Sequence, residues 1–284
     1  FVYFLIIFQY NNYMSIFSFF KRLFARRKRK TGLALGSGGA KGIAHIGALK
    51  AFEEAGVSFD MIAGTSIGSI VGAMYSLGYS SYEMLKITEE YNLSSRISVL
   101  KMAIGKDSLE NALDSILGEK TFADTLLPFR AIACDVNSGE EVVMGTGSLS
   151  KALAASSAVP PVFRPVHRMG RKLVDGAFVN AVPADAVKNL GADVVIALSL
   201  HDYHSNDNLK KYADVVYPKN GIKLADRLKQ INEADYTIYF PLDKFNSASV
   251  NDYEEIYRIG YETTKSKMNE ILNVLNGKKT RKHR

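Results

Sequence analysis

Apolar residues fall into two alternating rhythms over the first eighty residues that carry regular patterning. Thr31 to Leu35 is a short, nearly continuous apolar run, as a strand buried on both faces requires, and it enters a glycine-rich turn. From Lys41 to Ala55 the period lengthens: Ile43, Ile46, Leu49 and Phe52 recur along one helical face, and Gly56 supplies a stop. Phe59 to Ala63 predicts a second strand. Ile67 to Leu77 predicts the next helix, with Gly68, Ser69, Gly72 and Ala73 small enough to let it lie close against a sheet. Strand, glycine turn, helix, strand, sharp turn and helix make a βαβα unit, which builds parallel sheets with right-handed crossovers.

Further along, Phe129 to Cys134 and Val142 to Met144 read as buried strands, and Leu149 to Ser157 as a helix ending before Pro160-Pro161. Val174 leads into a turn at Asp175-Gly176. Pro183 to Leu190 reads as a helix with proline in its first turn. Val194 to Leu198 is a β-branched strand, Ile238 to Phe240 a last strand, and Asp252 to Leu275 one long helix. Residues 201–235 are polar and mixed, which predicts a mobile loop. No internal repeat is evident.

Charge changes this picture only at the ends. Of 36 Lys and Arg, seven lie in residues 21–30 and five in 277–284, so the stretch between them carries 24 against 29 acidic residues, a net charge of −5. The overall +7 is therefore a property of the ends, and a nucleic-acid groove built into the body is not expected. Residues 1–20 are uncharged and aromatic-rich, and the basic run follows them. This arrangement admits three readings. It can be a membrane anchor, although Gln9, Asn11 and Asn12 interrupt the apolar run. Met14 to Lys30 can form a basic amphipathic segment for an anionic membrane surface, with translation starting at Met14. Or the segment is a solvated tail. The basic cluster lies on the wrong side of the apolar run for a signal peptide. Cys134 is the only cysteine, so no intramolecular disulfide forms, in keeping with a reducing compartment.

Two segments carry candidate chemistry. Gly64-Thr65-Ser66-Ile67-Gly68 is a G-x-S-x-G sequence set between an apolar strand and a helix of small residues. That setting makes a nucleophile elbow, a strained turn that exposes a serine hydroxyl at the positive end of the following helix. The rival reading is an ordinary serine at a helix start. Upstream, Gly36-Ser37-Gly38-Gly39-Ala40-Lys41-Gly42 can aim the N–H groups of Gly38, Gly39 and Ala40 at an oxyanion. A dinucleotide loop would need glycine where Lys41 stands, and the segment does not fit a phosphate-binding P-loop.

Ser66 needs a base. Of the five histidines, His45 sits among apolar helix positions, His167 in a basic hairpin-like stretch, and His283 in the tail. His201 and His204 follow a strand, where a triad histidine can sit. Asp175, in Val174-Asp175-Gly176-Ala177, is the alternative: a tight turn exposes its carboxylate, although an Asp there is equally a plain turn residue.

At this point the residues resemble a known family, the bacterial patatin-like phospholipases. The matching segments are the glycine turn 36–42, the elbow 64–68, Asp175-Gly176-Ala177, and Ala155-Ser156-Ser157-Ala158-Val159-Pro160-Pro161-Val162-Phe163, all in the family order. The resemblance implies a three-layer α/β/α fold with a mainly parallel central sheet, spanning residues 31–276 between the N-terminal segment 1–30 and the tail 277–284. It implies Ser66 as nucleophile and Asp175 as its base, with Gly38, Gly39 and Ala40 at the oxyanion. Gly36, Ser37, Lys41, Gly42, Gly64, Gly68 and Gly176 would complete the motifs. The implied substrate is a phospholipid or other acyl-ester lipid, with no metal or cofactor. The protein is expected to be cytoplasmic, in peripheral contact with anionic membrane at the inner face. A regulatory protein of the same fold with little turnover, and an acyltransferase or thioesterase using the same nucleophile, remain alternatives. For Lys41, the expected place is a surface cap or ion pair, or a position near a substrate head group.

Overall fold

The computed structural model describes residues 29–90, 109–160, 162–201, 233–247 and 251–277. Expectations for residues 1–28, for the loop over 202–232, for Pro161, His204 and His283, and for the tail beyond Gly277 lie outside these residues.

Among the described residues the first element is β1 (Thr31–Leu35), which passes through a 3-10 turn (Gly39–Gly42) into α1 (Ile43–Glu54). Next come β2 (Met61–Thr65), α2 (Ile67–Ser76), α3 (81–90) and α4 (Leu109–Leu117). Then follow β3 (Phe129–Asp135), β4 (Glu141–Met144), α5 (Leu149–Ser156), β5 (Val166–Arg168) and β6 (Arg171–Asp175). The last elements are α6 (Ala184–Asn189), β7 (Val194–Ser199), β8 (Tyr236–Tyr239), α7 (Tyr253–Ser266) and α8 (Met268–Leu275).

Among the described residues eight strands form one sheet. Five of them, β8, β7, β1, β2 and β3, are adjacent and parallel. Strands β4 and β6 join β3 antiparallel, and β5 pairs antiparallel with β6. The central strands alternate between two apolar layers. Leu33, Leu35, Ile62, Ile196 and Leu198 face the cluster that contains α1, α2, α5 and α7. Ala34, Met61, Ala63, Val195 and Ala197 face the one that contains α6. Helices therefore cover both faces, and the sheet is the middle of three layers, as the βαβα pattern and the resemblance predict.

One edge of β3 is shared by two strands. Residues Ile62 to Thr65 of β2 pair with Phe129 to Ile132, and β6 then pairs with Ala133 to Asp135. Strand β4 pairs with Ala131 to Cys134 and so occupies the opposite edge. Since a strand has only two edges, β6 must run head-on toward β2 along the edge that β2 leaves. Thr65 lies opposite Ile132 and Asp175 opposite Ala133, the next register position.

Several boundaries differ from expectation. The second strand is Met61–Thr65 rather than 59–63, because Asp60 caps the start of β1 instead, accepting from the Thr31 N–H (2.7 Å) and hydroxyl (3.1 Å). The first helix starts two residues late, after the 3-10 turn. Strand β8 is Tyr236–Tyr239, starting where the Asp235 carboxylate accepts the Val195 N–H (2.9 Å). The long C-terminal helix is two. At Lys267 the N–H bonds back three residues to Thr264 rather than four, and this residue separates the two helices. Helices α3 and α4 were not foreseen; α4 buries only Leu113 and Leu117 on one narrow face.

Helix α1 is held by α7 through reciprocal close contacts. A Cβ on Gly47 would fall 2.1 Å from the Tyr257 carbonyl oxygen, and one on Gly260 would fall 2.1 Å from that of Ala44. Neither backbone can withdraw without parting the helices. Gly260→Ala is expected to lower stability by about 1–3 kcal/mol, the usual cost of overpacking, read from the urea midpoint.

Candidate active site

Strand β2 ends where the chain must leave the sheet and begin α2 within one residue. Ser66 makes that turn with φ 55° and ψ −127°, a left-handed conformation that costs a non-glycine residue about 1–3 kcal/mol. The strain is held by hydrogen bonds on both sides. The Ser66 carbonyl accepts from the Ser69 N–H (2.8 Å), the Ile70 N–H (3.3 Å) and the Ser69 hydroxyl (2.6 Å). The Ser66 N–H donates to Ser156 Oγ (2.9 Å). Two glycines make room for the turn: a Cβ on Gly64 would meet the Gly68 carbonyl oxygen at 2.2 Å, and one on Gly68 would meet that of Leu35 at 2.2 Å. The elbow read from the sequence is thus present in backbone geometry.

The glycine turn lies against the start of α2, with Gly42 packed on Ile67. Its N–H groups divide into two sets. Gly36 donates to the Leu198 carbonyl (2.9 Å), Ser37 to that of Ala181 (2.9 Å), Ala40 to that of Ser247 (2.8 Å) and Lys41 to that of Gly38 (3.3 Å). The N–H groups of Gly38 and Gly39 meet no acceptor among the described residues. Gly39, at φ 57°, has the left-handed backbone that turns the segment. Of the three amides expected at an oxyanion, that of Ala40 is committed to Ser247.

Lys41 departs from its expected surface position. It is 5% exposed; burial lowers its ammonium pKa, and the nearby Asp243 carboxylate opposes this. His45 is fully buried beneath the turn, its Nε2 2.8 Å from the Gly36 carbonyl oxygen. Desolvation pushes its pKa down to about 4, with the Gly36 bond opposing, so the ring is neutral near pH 7. His201 is likewise held at about 4, by burial first and then by Lys41, against the pull of Asp243. His167 sits on the edge hairpin, paired with Lys172.

Asp175 is 1% exposed at the end of β6. By strand alternation it faces the same layer as Leu173, the side covered by α2 and α5. Its Oδ1 accepts the Ala177 N–H (2.8 Å), and its own N–H donates to the Ala158 carbonyl (3.0 Å). The shared edge of β3 brings its carboxyl within reach of the Ser66 side chain, which acts on its ionisation. Burial, the largest influence, raises its pKa from 3.8 to about 6, and the Ser66 side chain and the Ala177 hydrogen bond oppose the rise. Gly176 follows with no room for a side chain: a Cβ would lie 2.3 Å from the Ile132 carbonyl oxygen. A buried carboxylate that takes up a proton this readily is equipped as a base.

Sequence reasoning assigned no role to two supports. One is the Ser156 hydroxyl. The other is the Thr65 hydroxyl, which donates to the Asn180 carbonyl (2.7 Å) and ties the elbow strand to the turn after Asp175. Ser156 lies in a segment the sequence singles out, whereas nothing local marks Asn180. Among the described residues no cluster of His, Cys, Asp or Glu could hold a metal ion, and no helix is long and apolar enough to cross a membrane.

The raised pKa sets a pH signature. Between about pH 4 and 6 the folded state binds the Asp175 proton more tightly than the unfolded chain, so ionising this group costs stability as pH rises through that window. The difference from 3.8 to about 6 corresponds to roughly 3 kcal/mol at most. Asp175→Asn should therefore be more stable than the parent at pH 7. Its advantage in Tm should shrink as pH falls from 6 to 4, as measured by thermal unfolding at each pH.

A family model described as patatin-like phospholipase matches residues 33–188. Patatin-like phospholipase domain-containing protein 6 of Homo sapiens is 28% identical over 275 residues, covering 82% of this chain and 20% of that protein. Lysophospholipase nte1 of Aspergillus fumigatus is 26% identical over 270 residues, covering 82% and 18%. The chain thus spans about a fifth of the length of these curated relatives. Among solved structures, VipD from Legionella pneumophila superposes with a TM-score of 0.51 at 13% identity, over 88% of this chain and 67% of that one, a likeness of fold. The match takes in more than half of the chain, including both glycine motifs and Asp175, and this chain belongs to the patatin-like phospholipase family.

Proposed function

We propose that this chain is a lipid acyl hydrolase that cleaves carboxylic esters with Ser66 as nucleophile and Asp175 as general base. The observation that carries the reading is a buried carboxylate, its pKa raised to about 6, one register position from the strained turn at Ser66. Asp175 takes the Ser66 proton as Oγ attacks the ester carbonyl carbon. The oxyanion is held by the Gly38 and Gly39 N–H groups, which meet no other acceptor among the described residues. Collapse expels the alcohol, which receives the proton from Asp175, and leaves an acyl-enzyme. Asp175 then deprotonates water for the second attack, returns that proton to Ser66 Oγ as the acyl–Oγ bond breaks, and the fatty acid leaves. Neutral, deeply buried His45 supports the glycine turn rather than serving as the base.

The substrate class follows from the relatives, one of which is named a lysophospholipase. We assign a phospholipid or lysophospholipid as the ester. Seven basic residues in 21–30 support work at an anionic membrane surface, since each adds attraction within about a Debye length of the lipid. The full chain should bind vesicles containing phosphatidylserine more tightly than neutral vesicles, and added salt should weaken the difference. Equal sedimentation with both would remove the surface assignment.

Activity on p-nitrophenyl esters and lysophospholipid tests the chemistry. Ser66→Ala and Asp175→Asn are each expected to lower kcat/KM by at least about 10³-fold. His201→Ala should stay within about tenfold of the parent. The acid limb of the parent kcat/KM profile should fall near pH 6, because Asp175 must be ionised to act. Turnover that survives Ser66→Ala, or that depends on His201 and not on Asp175, would overturn the assignment.

A further inference from the structure

We propose that Ser156 is a positioning residue for the reaction, its hydroxyl holding the Ser66 main chain while the Ala158 carbonyl two residues on holds that of Asp175. The inference rests on the reading of Ser66 and Asp175 as nucleophile and base. It gives a task to the Ala155–Phe163 segment, which that reading leaves without one.

The geometry is specific. Ser156 is fully buried at the last turn of α5, and its Oγ accepts the Ser66 N–H at 2.9 Å across ninety positions of sequence. Two residues on, the Ala158 carbonyl accepts the Asp175 N–H at 3.0 Å. One three-residue segment therefore receives the amides of both reacting residues, and the distance between them is set by that segment as well as by the sheet. The Ser66 bond falls on the strained unit. With φ at 55°, the backbone relaxes by rotating away from the left-handed region, and this rotation moves the Ser66 side chain relative to Asp175. An acceptor fixed on the Ser66 N–H opposes it. The segment is itself anchored: the Ser157 N–H donates to the Leu153 carbonyl (3.0 Å), and at the other end of α5 the Ser148 hydroxyl accepts the Lys151 N–H (3.2 Å).

The adjacent residue supplies a built-in control. Ser157 is also buried, but its Oγ has no hydrogen-bond partner among the described residues. Ser156→Ala and Ser157→Ala remove the same atom from consecutive positions, and only the first removes the bond to Ser66.

The test uses the purified full chain and three readouts: the rate constant for labelling by a fluorophosphonate, kcat and KM on a p-nitrophenyl ester, and the pH dependence of kcat/KM. Ser156→Ala is expected to slow labelling and lower kcat by about 10- to 100-fold with KM within about twofold, as misplacement of a reacting group does. Its acid limb should move to higher pH, because the Ser66 side chain that holds the Asp175 carboxyl down is loosened. Ser157→Ala should match the parent within about twofold in all three. Should Ser156→Ala not fold, Ser156→Cys puts a slightly larger, weaker acceptor at the same place and should fall between parent and Ser157→Ala on one side and a 10-fold loss on the other. Equal kinetics for Ser156→Ala and Ser157→Ala, or for Ser156→Cys and the parent, overturns the inference, as does a loss confined to Tm. Ser66→Ala and Asp175→Asn run alongside: full activity in those two would unseat the underlying reading instead, so the two failures are told apart.

Discussion

The site depends on an edge of β3 that two strands share. Strand β2 uses that edge up to Thr65 and then leaves the sheet through the turn at Ser66; β6 arrives from the opposite direction and stops at Asp175, one register position away. Hydrogen-bond register is among the stiffest constraints in a protein, since a slip of one residue would send every side chain of β6 to the other face. Asp175 would then point toward the layer that holds α6, and Val174 would take its place beside the elbow. The pairing of β6 with β3 is thus what aims a carboxylate at the serine.

This arrangement has an energetic cost that the surroundings offset. Two unfavourable local states sit side by side: a serine in left-handed backbone and a carboxylate almost wholly removed from water. Neither would persist alone. The serine is braced by the Ser69, Ile70 and Ser156 bonds, and the carboxylate by that of Ala177, with the Ser66 side chain nearby favouring its anion. The residual imbalance suits the role proposed for Asp175, because a carboxylate that burial disfavours as an anion accepts a proton more readily than one stabilised by a cation.

Much of the fold was legible because its signals are local. Continuous apolar runs mark the parallel strands, glycines mark turns that allow no side chain, and both leave their trace within five to seven residues. The elbow, the glycine turn and Asp175-Gly176-Ala177 belong to this class. What could not be read depends on contacts between distant segments. Nothing around Ser247 announces that its carbonyl takes the Ala40 amide, and nothing around Lys41 announces its burial, because both are decided by the chain after β8. The break at Lys267 is invisible to periodicity, since a tightened turn keeps the apolar positions of α7 and α8 nearly in phase. Helix α4, by contrast, does carry a local signal, with apolar residues at Leu109, Ala112, Leu113, Ile116 and Leu117 spaced along one helical face.

The contact between α1 and α7 bears on where this domain ends. The family model stops at residue 188, yet Gly260 and Tyr257 lie backbone to backbone against the helix that issues from the glycine turn, and Ser247 sits on the turn itself. A fragment trimmed to the matched region would keep the serine, the aspartate and every recognisable motif, and would lose the outer wall against which the glycine turn is set. The smallest unit that can carry the chemistry is therefore longer than the stretch by which the family is recognised.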